Sequence, residues 1–281
     1  MDLIVFAMVL TAAVMHAVWN AVVKVQGDRL VMMAMISGWG GICSLLVLPF
    51  VPLPSIEAWP YIGISIVLKN AYYLLLISAY RYGDLSHVYP IARGTAPLIV
   101  TLISVGILGE TLTQSGLFAV ILIGVGVLSL AVTRGQESFV NLKPAVFALT
   151  TGIFIALYTV VDGLGARISG NPHSFIFWQF FLDGFPLVLF VLALRRREAL
   201  NVVRANWAVG LFGGVVALIA IWLVIWAMTL APIAYVSALR ETSIVFAVLI
   251  GAVFLKERLD LRRLTAIFLT MAGSLILKTS K

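Results

Sequence analysis

Two stretches of this chain each place an arginine inside a run long and apolar enough to cross a bilayer. His87–Glu110 reads HVYPIARGTAPLIVTLISVGILGE, and Ala234–Glu257 reads AYVSALRETSIVFAVLIGAVFLKE. A helical span needs about 20 apolar residues. A charge near its centre costs at least ~2.5–3.5 kcal/mol unless its surroundings compensate. In the first stretch Pro90 and Pro97 flank Arg93. Proline removes the hydrogen bond to the carbonyl four residues back, and for Pro97 that carbonyl belongs to Arg93. These features predict a broken helix lining a polar cavity, where irregular backbone is tolerated at membrane depth. The second stretch repeats the first. A shift of 240 − 93 = 147 positions carries Arg93 onto Arg240, Glu110 onto Glu257, Leu112 onto Leu259 and Gly126 onto Gly273.

Composition excludes a soluble domain. Of 281 residues, 62% are hydrophobic and 11% charged, against about 45–50% and about 25% in soluble proteins. The net charge of +7 would suggest nucleic acid in a soluble chain. Here the basic residues fall in short loops between apolar runs, so they are read as setting orientation in the bilayer, and no nucleic-acid partner is expected. Cys43 is the only cysteine and the three histidines are scattered, so neither a disulfide nor a metal site is predicted, and no cofactor. No G-x-x-x-x-G-K-[ST] run points to ATP. The N-terminal MDLIVFAMVLTAAVMHAVWNAVVK has no basic leader and outruns a signal sequence. It is predicted to stay as the first span.

Ten apolar segments can be marked, at 3–23, 30–50, 59–80, 87–108, 115–133, 143–163, 174–194, 207–229, 234–255 and 262–277. Turn residues separate several of them: GDR at 27–29, PLPS at 52–55, YGD at 82–84 and SGNP at 169–172. The repeat extends upstream. A shift of 178 − 39 = 139 puts Trp39 on Trp178, Trp19 on Tyr158 and Ala17 on Ala156. The change from 139 to 147 is an eight-residue insertion, 147 − 139, at RRREALNVVR. Residues 1–133 and 143–277 therefore read as two copies of a five-helix unit. An odd number of spans per copy inverts one copy relative to the other, the pattern of carriers that bind substrate between halves near the midplane. The predicted fold is all-α, integral to the membrane, with ten transmembrane helices as two inverted five-helix repeats. Lys24, Arg29, Arg81, Arg134, Lys143, Arg195 to Arg197, Arg204, Lys256, Arg258, Arg262 and Arg263 collect on one side, against Arg167, Lys278 and Lys281 on the other. The first side is expected to be cytoplasmic, with both termini outside, in a bacterial inner membrane.

Ten short helices in a five-plus-five repeat, with a glutamate closing spans four and nine (GILGETLT at 106–113 and AVFLKERLD at 252–260), resemble the EamA branch of the drug/metabolite transporter superfamily. The resemblance covers nearly the whole chain. It implies a secondary carrier of small metabolites, often amino acids or related solutes, with a cavity contributed by both halves. It also implies that Glu110 and Glu257 are architectural, capping the span that follows. One departure matters. The small four-helix multidrug members carry an acid in their first span, whereas span one here offers His16, Trp19 and Asn20. Drug-cation antiport is therefore disfavoured.

Candidate binding residues follow from depth and spacing. Arg93 and Arg240 sit about 10 Å into their helices at ~1.5 Å per residue. Approaching from opposite faces, they could grip one anionic group; the structural alternative is internal pairing or snorkelling. Tyr89 lies one turn before Arg93. Lys69 lies mid-span, with a structural ion pair to Asp183 as its plainest use and proton coupling as the other. Glu241 adjoins Arg240 without needing to pair with it, and is a candidate for substrate ammonium or for a proton. His16, Trp19 and Asn20 share one helix face, and Tyr158 occupies the equivalent of Trp19 in the second copy. Trp178, Gln179, Trp222 and Trp226 are candidate cavity walls, although membrane aromatics more often pack or anchor. Lys69, Arg93 and Arg240 against Asp183 and Glu241 leave 3 − 2 = +1, which favours an anionic group on the substrate. On this reading Arg93→Ala and Arg240→Ala both abolish transport and leave folding intact.

The sequence thus predicts a secondary active transporter of a small anionic or zwitterionic metabolite, with amino acids leading and organophosphate or phosphonate second. A passive channel and a membrane enzyme acting on lipid head groups are the rival classes. No nucleophile, base or metal-ligand cluster supports the enzyme. Gly-rich faces such as GVGVL at 124–128 permit helix association, including a homodimer.

Overall fold

The computed structural model describes residues 1–25, 28–82, 85–131, 142–254 and 260–280. It is all-helical, with no strand among the described residues. In chain order the helices are α1 (Leu3–Val25), α2 (Arg29–Val47), α3 (Trp59–Tyr82), α4 (Leu85–Gly106), α5 (Gln114–Leu128), α6 (Leu142–Ile168), α7 (Pro172–Leu230), α8 (Ile233–Arg240), α9 (Ser243–Phe254) and α10 (Leu261–Thr279). Local chemistry sets their starts. Asp28 accepts from Val31 N, Thr113 from Gly116 N, Asn171 from His173 N and Asp260 from Arg263 N. Each satisfies an amide that the first helical turn leaves open. Gly170, at φ +73°, lets the SGNP turn reverse the chain between α6 and α7.

Seven candidate membrane spans stand out by length and composition among the described residues. α3 and α10 are not among them: α3 carries Lys69, Asn70 and several tyrosines, and α10 carries Arg262, Arg263 and Lys278. α7 counts once, yet its 59 residues would reach about 88 Å if straight. That is nearly three times the hydrocarbon thickness. Non-helical backbone at Arg195 and Asn206 divides it. Both parts of α7 then pack on α2, through Gly41 against Gly184 and Gly40 against Gly214. The protein is an integral, multi-pass membrane protein.

The predicted break in the first arginine stretch is absent. α4 runs unbroken through Pro90 and Pro97. The second stretch, without an internal proline, is the interrupted one. α8 stops at Arg240, and three-residue bonds from Glu241 N to Ala238 O and Thr242 N to Leu239 O tighten the chain before α9. Glu241 has no counterpart in the first copy, where the same shift lands on Gly94.

Helix pairing is reciprocal. α1 packs on α7 and α9, while α6 packs on α3 and α4; α5 and α10 pack on each other. Gly124 and Gly126 serve contacts within the chain, facing Leu98 and Thr270 respectively. The two termini meet at one end, where the Met1 ammonium donates to the carbonyl of Ser280.

Candidate functional site

A cavity of about 470 Å³ lies inside the bundle, walled by α1, α2, α3, α4, α6, α7, α8 and, through Ala247, α9. On α1 its lining runs from Ala12 to Val23; on α2 it starts at Leu30 and on α3 it ends at Leu76. The space therefore lies towards the α1–α2 end, away from the termini. His16, Trp19, Asn20, Lys69, Tyr89, Arg93, Tyr158, Asp183 and Arg240 all line it. Residues far apart in sequence are thus brought to one cavity. Trp178 and Gln179 do not line it. Trp178 packs against Trp59 and Phe181, and Gln179 is buried behind the wall. Trp222 and Trp226 stack on each other beside His173, also outside the cavity.

One pole of the cavity is built by α4 and the α8–α9 junction. Arg93 is 4% exposed, and its Nε lies 2.9 Å from Glu241 Oε2. Its Nη2 donates to Ser243 Oγ at 3.3 Å, and its guanidinium lies over the Tyr89 ring. Arg93 is thus fixed by the other half of the chain. Arg240 is held more loosely, with Nη2 3.7 Å from Glu241 Oε1. Arg240 Nε and Nη2 are buried and find no hydrogen-bond partner among the described residues. A buried donor left open is costly, and since Arg93 is the more closely paired of the two, Arg240 is the guanidinium on the cavity wall with more capacity to spare.

The opposite pole belongs to α3, α6 and α7. The expected Lys69–Asp183 pair is replaced by Lys69 and Asp162, 3.1 Å apart. Asp162 Oδ1 also accepts from Ser65 Oγ at 2.5 Å and Gln179 Nε2 at 2.5 Å. Lys69 further faces the Tyr158 and Phe180 rings. Among the described residues Asp183 has no salt bridge and takes a hydrogen bond from Asn70 Nδ2, at 3.2 Å. Asp162 is the carboxylate that the sequence-based charge count leaves out. It lies four positions after Tyr158, on the same helix face, and that spacing is the signal that places it at the cavity.

With Asp162 included, the interior count becomes three cations against three anions, 3 − 3 = 0, and the predicted positive excess disappears. The charges separate instead. Arg93 and Arg240 against Glu241 leave 2 − 1 = +1 at one pole. Lys69 against Asp162 and Asp183 leaves 1 − 2 = −1 at the other. His16 sits on the wall with its Nδ1 accepting from Trp19 Nε1 at 3.2 Å, and Asn20 bonds the His16 carbonyl at 2.7 Å.

Beyond the cavity, towards the termini, the halves are tied together. Glu110 accepts from Ile233 N at 3.0 Å and pairs with Arg167 Nη2 at 2.8 Å. Arg167 also donates to the carbonyls of Met228 and Ala231. Glu110 therefore caps α8 of the other half, not the span that follows it; α5 has its own cap in Thr113. Tyr235 OH completes the tie through Thr113 N at 2.9 Å. Glu257 lies outside the described residues.

A multi-pass helical protein with a charged, aromatic-walled chamber between two similar halves has the build of a membrane transporter. The family comparison agrees. The chain belongs to the EamA-like transporter family, whose model matches residues 3–132 and 142–279. Among solved structures 26 chains match. One of them, described only as a crystal structure of a protein, superposes with TM-score 0.76 at 14% identity, covering 98% of this chain and 96% of its own. At that identity the likeness is one of fold. No curated protein matches the chain in sequence.

Proposed function

We propose that the protein is a secondary transporter that moves a small zwitterionic metabolite, an amino acid or close derivative, by alternating access. The observation that carries this reading is the two-sided charge of the chamber. Arg240 has open donors at the positive pole, and Asp183 has no ion-pair partner within salt-bridge distance among the described residues at the negative one. A carboxylate suits the first and an ammonium the second. Arg93 and Lys69 are already neutralised by Glu241 and Asp162, so they shape the poles rather than grip substrate. Organophosphate is the weaker candidate, because a dianion exceeds the net +1 of a pole where Arg93 is engaged by Glu241, and the carboxylates at the other pole would have no ammonium to meet. Asp183, Lys69 and Glu241 are the groups for proton coupling.

The membrane arrangement we propose has ten crossings. α7 supplies two, 172–194 and 207–230; α8 and α9 form one; α3 and α10 complete the set. The reciprocal pairing of α1 and α6 with the opposite halves supports two inverted units, 1–133 and 143–277. Basic loops then put both termini outside, in a bacterial inner membrane, with the Glu110–Arg167 tie closing the outer end and the chamber facing inward. Lys24, Arg29 and Arg81, whose side chains are not described, and Arg134, Lys256 and Arg258, outside the described residues, enter only by sequence.

A thermal-shift screen of purified protein tests the substrate class, since a ligand that binds only the folded state raises its melting temperature. Stabilisation by an α-amino acid supports the proposal. Stabilisation by phosphonates alone overturns it.

A further inference from the structure

A second cavity, about 210 Å³, lies between α2 and α7, and every residue lining it is apolar. Val31, Ala34, Gly38 and Ile42 form its α2 wall, spaced as one stripe along the helix. From Val31 to Ile42 the stripe rises about 16 Å, close to half the ~30 Å hydrocarbon core, or one leaflet. Ile42 is 47% exposed, so the groove opens sideways to lipid.

Its other boundary is charged. Ala199 and Val203 line the groove and belong to the segment 196–205, set between the non-helical breaks at Arg195 and Asn206. Ala199 is buried, while Arg196, Arg197 and Arg204 are exposed. Arg196 lies one turn from Ala199, so the guanidinium face flanks the apolar mouth. Arg195 reaches Asp28, the cap of α2, at 3.2 Å, which ties the segment to the same end of α2 as Val31. Four arginines against Glu198 and Asp28 leave 4 − 2 = +2. Trp207, 54% exposed, follows directly, as an interfacial anchor does.

We infer that this is a binding site for an anionic glycerophospholipid, with one acyl chain in the α2–α7 groove and the phosphate held by Arg196, Arg197 and Arg204. The groove sets the depth of the chain, and the basic amphipathic segment sets the sign of the head group. The site rests only on the chain lying in a membrane, not on any substrate. It adjoins the chamber, because α2 and α7 also line that cavity, through Leu30 and Asp183 among others.

Native mass spectrometry of the detergent-purified protein tests it, using phosphatidylglycerol, phosphatidylcholine and glycerol 3-phosphate as probes. Wild type should retain phosphatidylglycerol at least fivefold more than phosphatidylcholine and retain no glycerol 3-phosphate. The triple variant Arg196→Gln, Arg197→Gln, Arg204→Gln, altered only at exposed positions, should lose that preference, and the corresponding triple Lys variant should keep it. Gly38→Leu fills the groove, since its Cβ meets Val188 Cγ2 at 3.0 Å, and should lose lipid with the arginines intact. An undiminished preference in the triple Gln variant overturns the site. So does binding of glycerol 3-phosphate as strong as that of the lipid, or a protein dimer that excludes lipid from wild type.

Discussion

Arg93 and Glu241 meet at 2.9 Å across the two halves of the chain, and both are buried. This contact distinguishes two arginines that the repeat makes equivalent. One is committed to a carboxylate, while the other, Arg240, stands 3.7 Å from the same carboxylate with donors to spare. The asymmetry comes from one position, because Glu241 aligns with Gly94 in the first copy.

Removing Arg93 should therefore unsettle the fold rather than only the transport step. Arg93→Ala leaves Glu241 buried with its closest partner gone, and breaking a buried pair costs about 3–5 kcal/mol. Adding Glu241→Ala should recover part of that loss. Unfolding of the purified variants in detergent measures both, and an Arg93→Ala protein as stable as wild type would contradict the assignment.

Arg240→Ala should behave differently. Its pairing is loose, so stability should change by no more than about 1 kcal/mol, while uptake into proteoliposomes falls at least tenfold. A monodisperse size-exclusion profile together with normal uptake would remove Arg240 from the binding site.

A parallel contrast holds at the other pole. Lys69→Met leaves Asp162 buried beside Ser65 and Gln179 and should destabilise by about 3–5 kcal/mol. Asp183→Asn keeps an acceptor for Asn70 and should fold normally, with binding lost for ligands that carry an ammonium group. Equal melting temperatures for the two variants would show that the pairing does not divide their roles.

Glu110→Ala should loosen the start of α8. It leaves Ile233 N without its acceptor and Arg167 without its counter-charge, at a cost of about 1–3 kcal/mol. Hydrogen exchange at the first amides of α8 should quicken, and unchanged exchange would mean the cap is dispensable.

Much of this was legible in the sequence. The apolar segments marked the helices and the 147-residue shift paired Arg93 with Arg240; helical spacing put His16 and Asn20 on one face, the 139-residue shift singled out Tyr158 and mid-span depth Lys69, and these four line one cavity. What sequence could not supply was partner choice. Lys69 has two carboxylates within its layer, and only the relative position of α6 and α7 selects Asp162 over Asp183. The break in the second stretch was likewise hidden. Prolines in α4 are absorbed by a helix packed on α5 and α6, whereas a buried charge beside Arg240 coincides with an interrupted helix that contains none. The family resemblance implies a local cap at Glu110, and sequence alone does not reveal its target, Ile233 N, more than a hundred residues away.

The central claim is that one cavity offers a loosely paired guanidinium, Arg240, at one end and at the other a carboxylate, Asp183, with no salt bridge among the described residues. Counterflow in proteoliposomes tests it most directly, with a panel of amino acids, their N-acetyl derivatives and their decarboxylated amines, on wild type, Arg240→Ala and Asp183→Asn. The account predicts trans-stimulation by intact zwitterions alone, lost in both variants. Equal trans-stimulation by the acetylated or decarboxylated forms, or full activity in either variant, would contradict it.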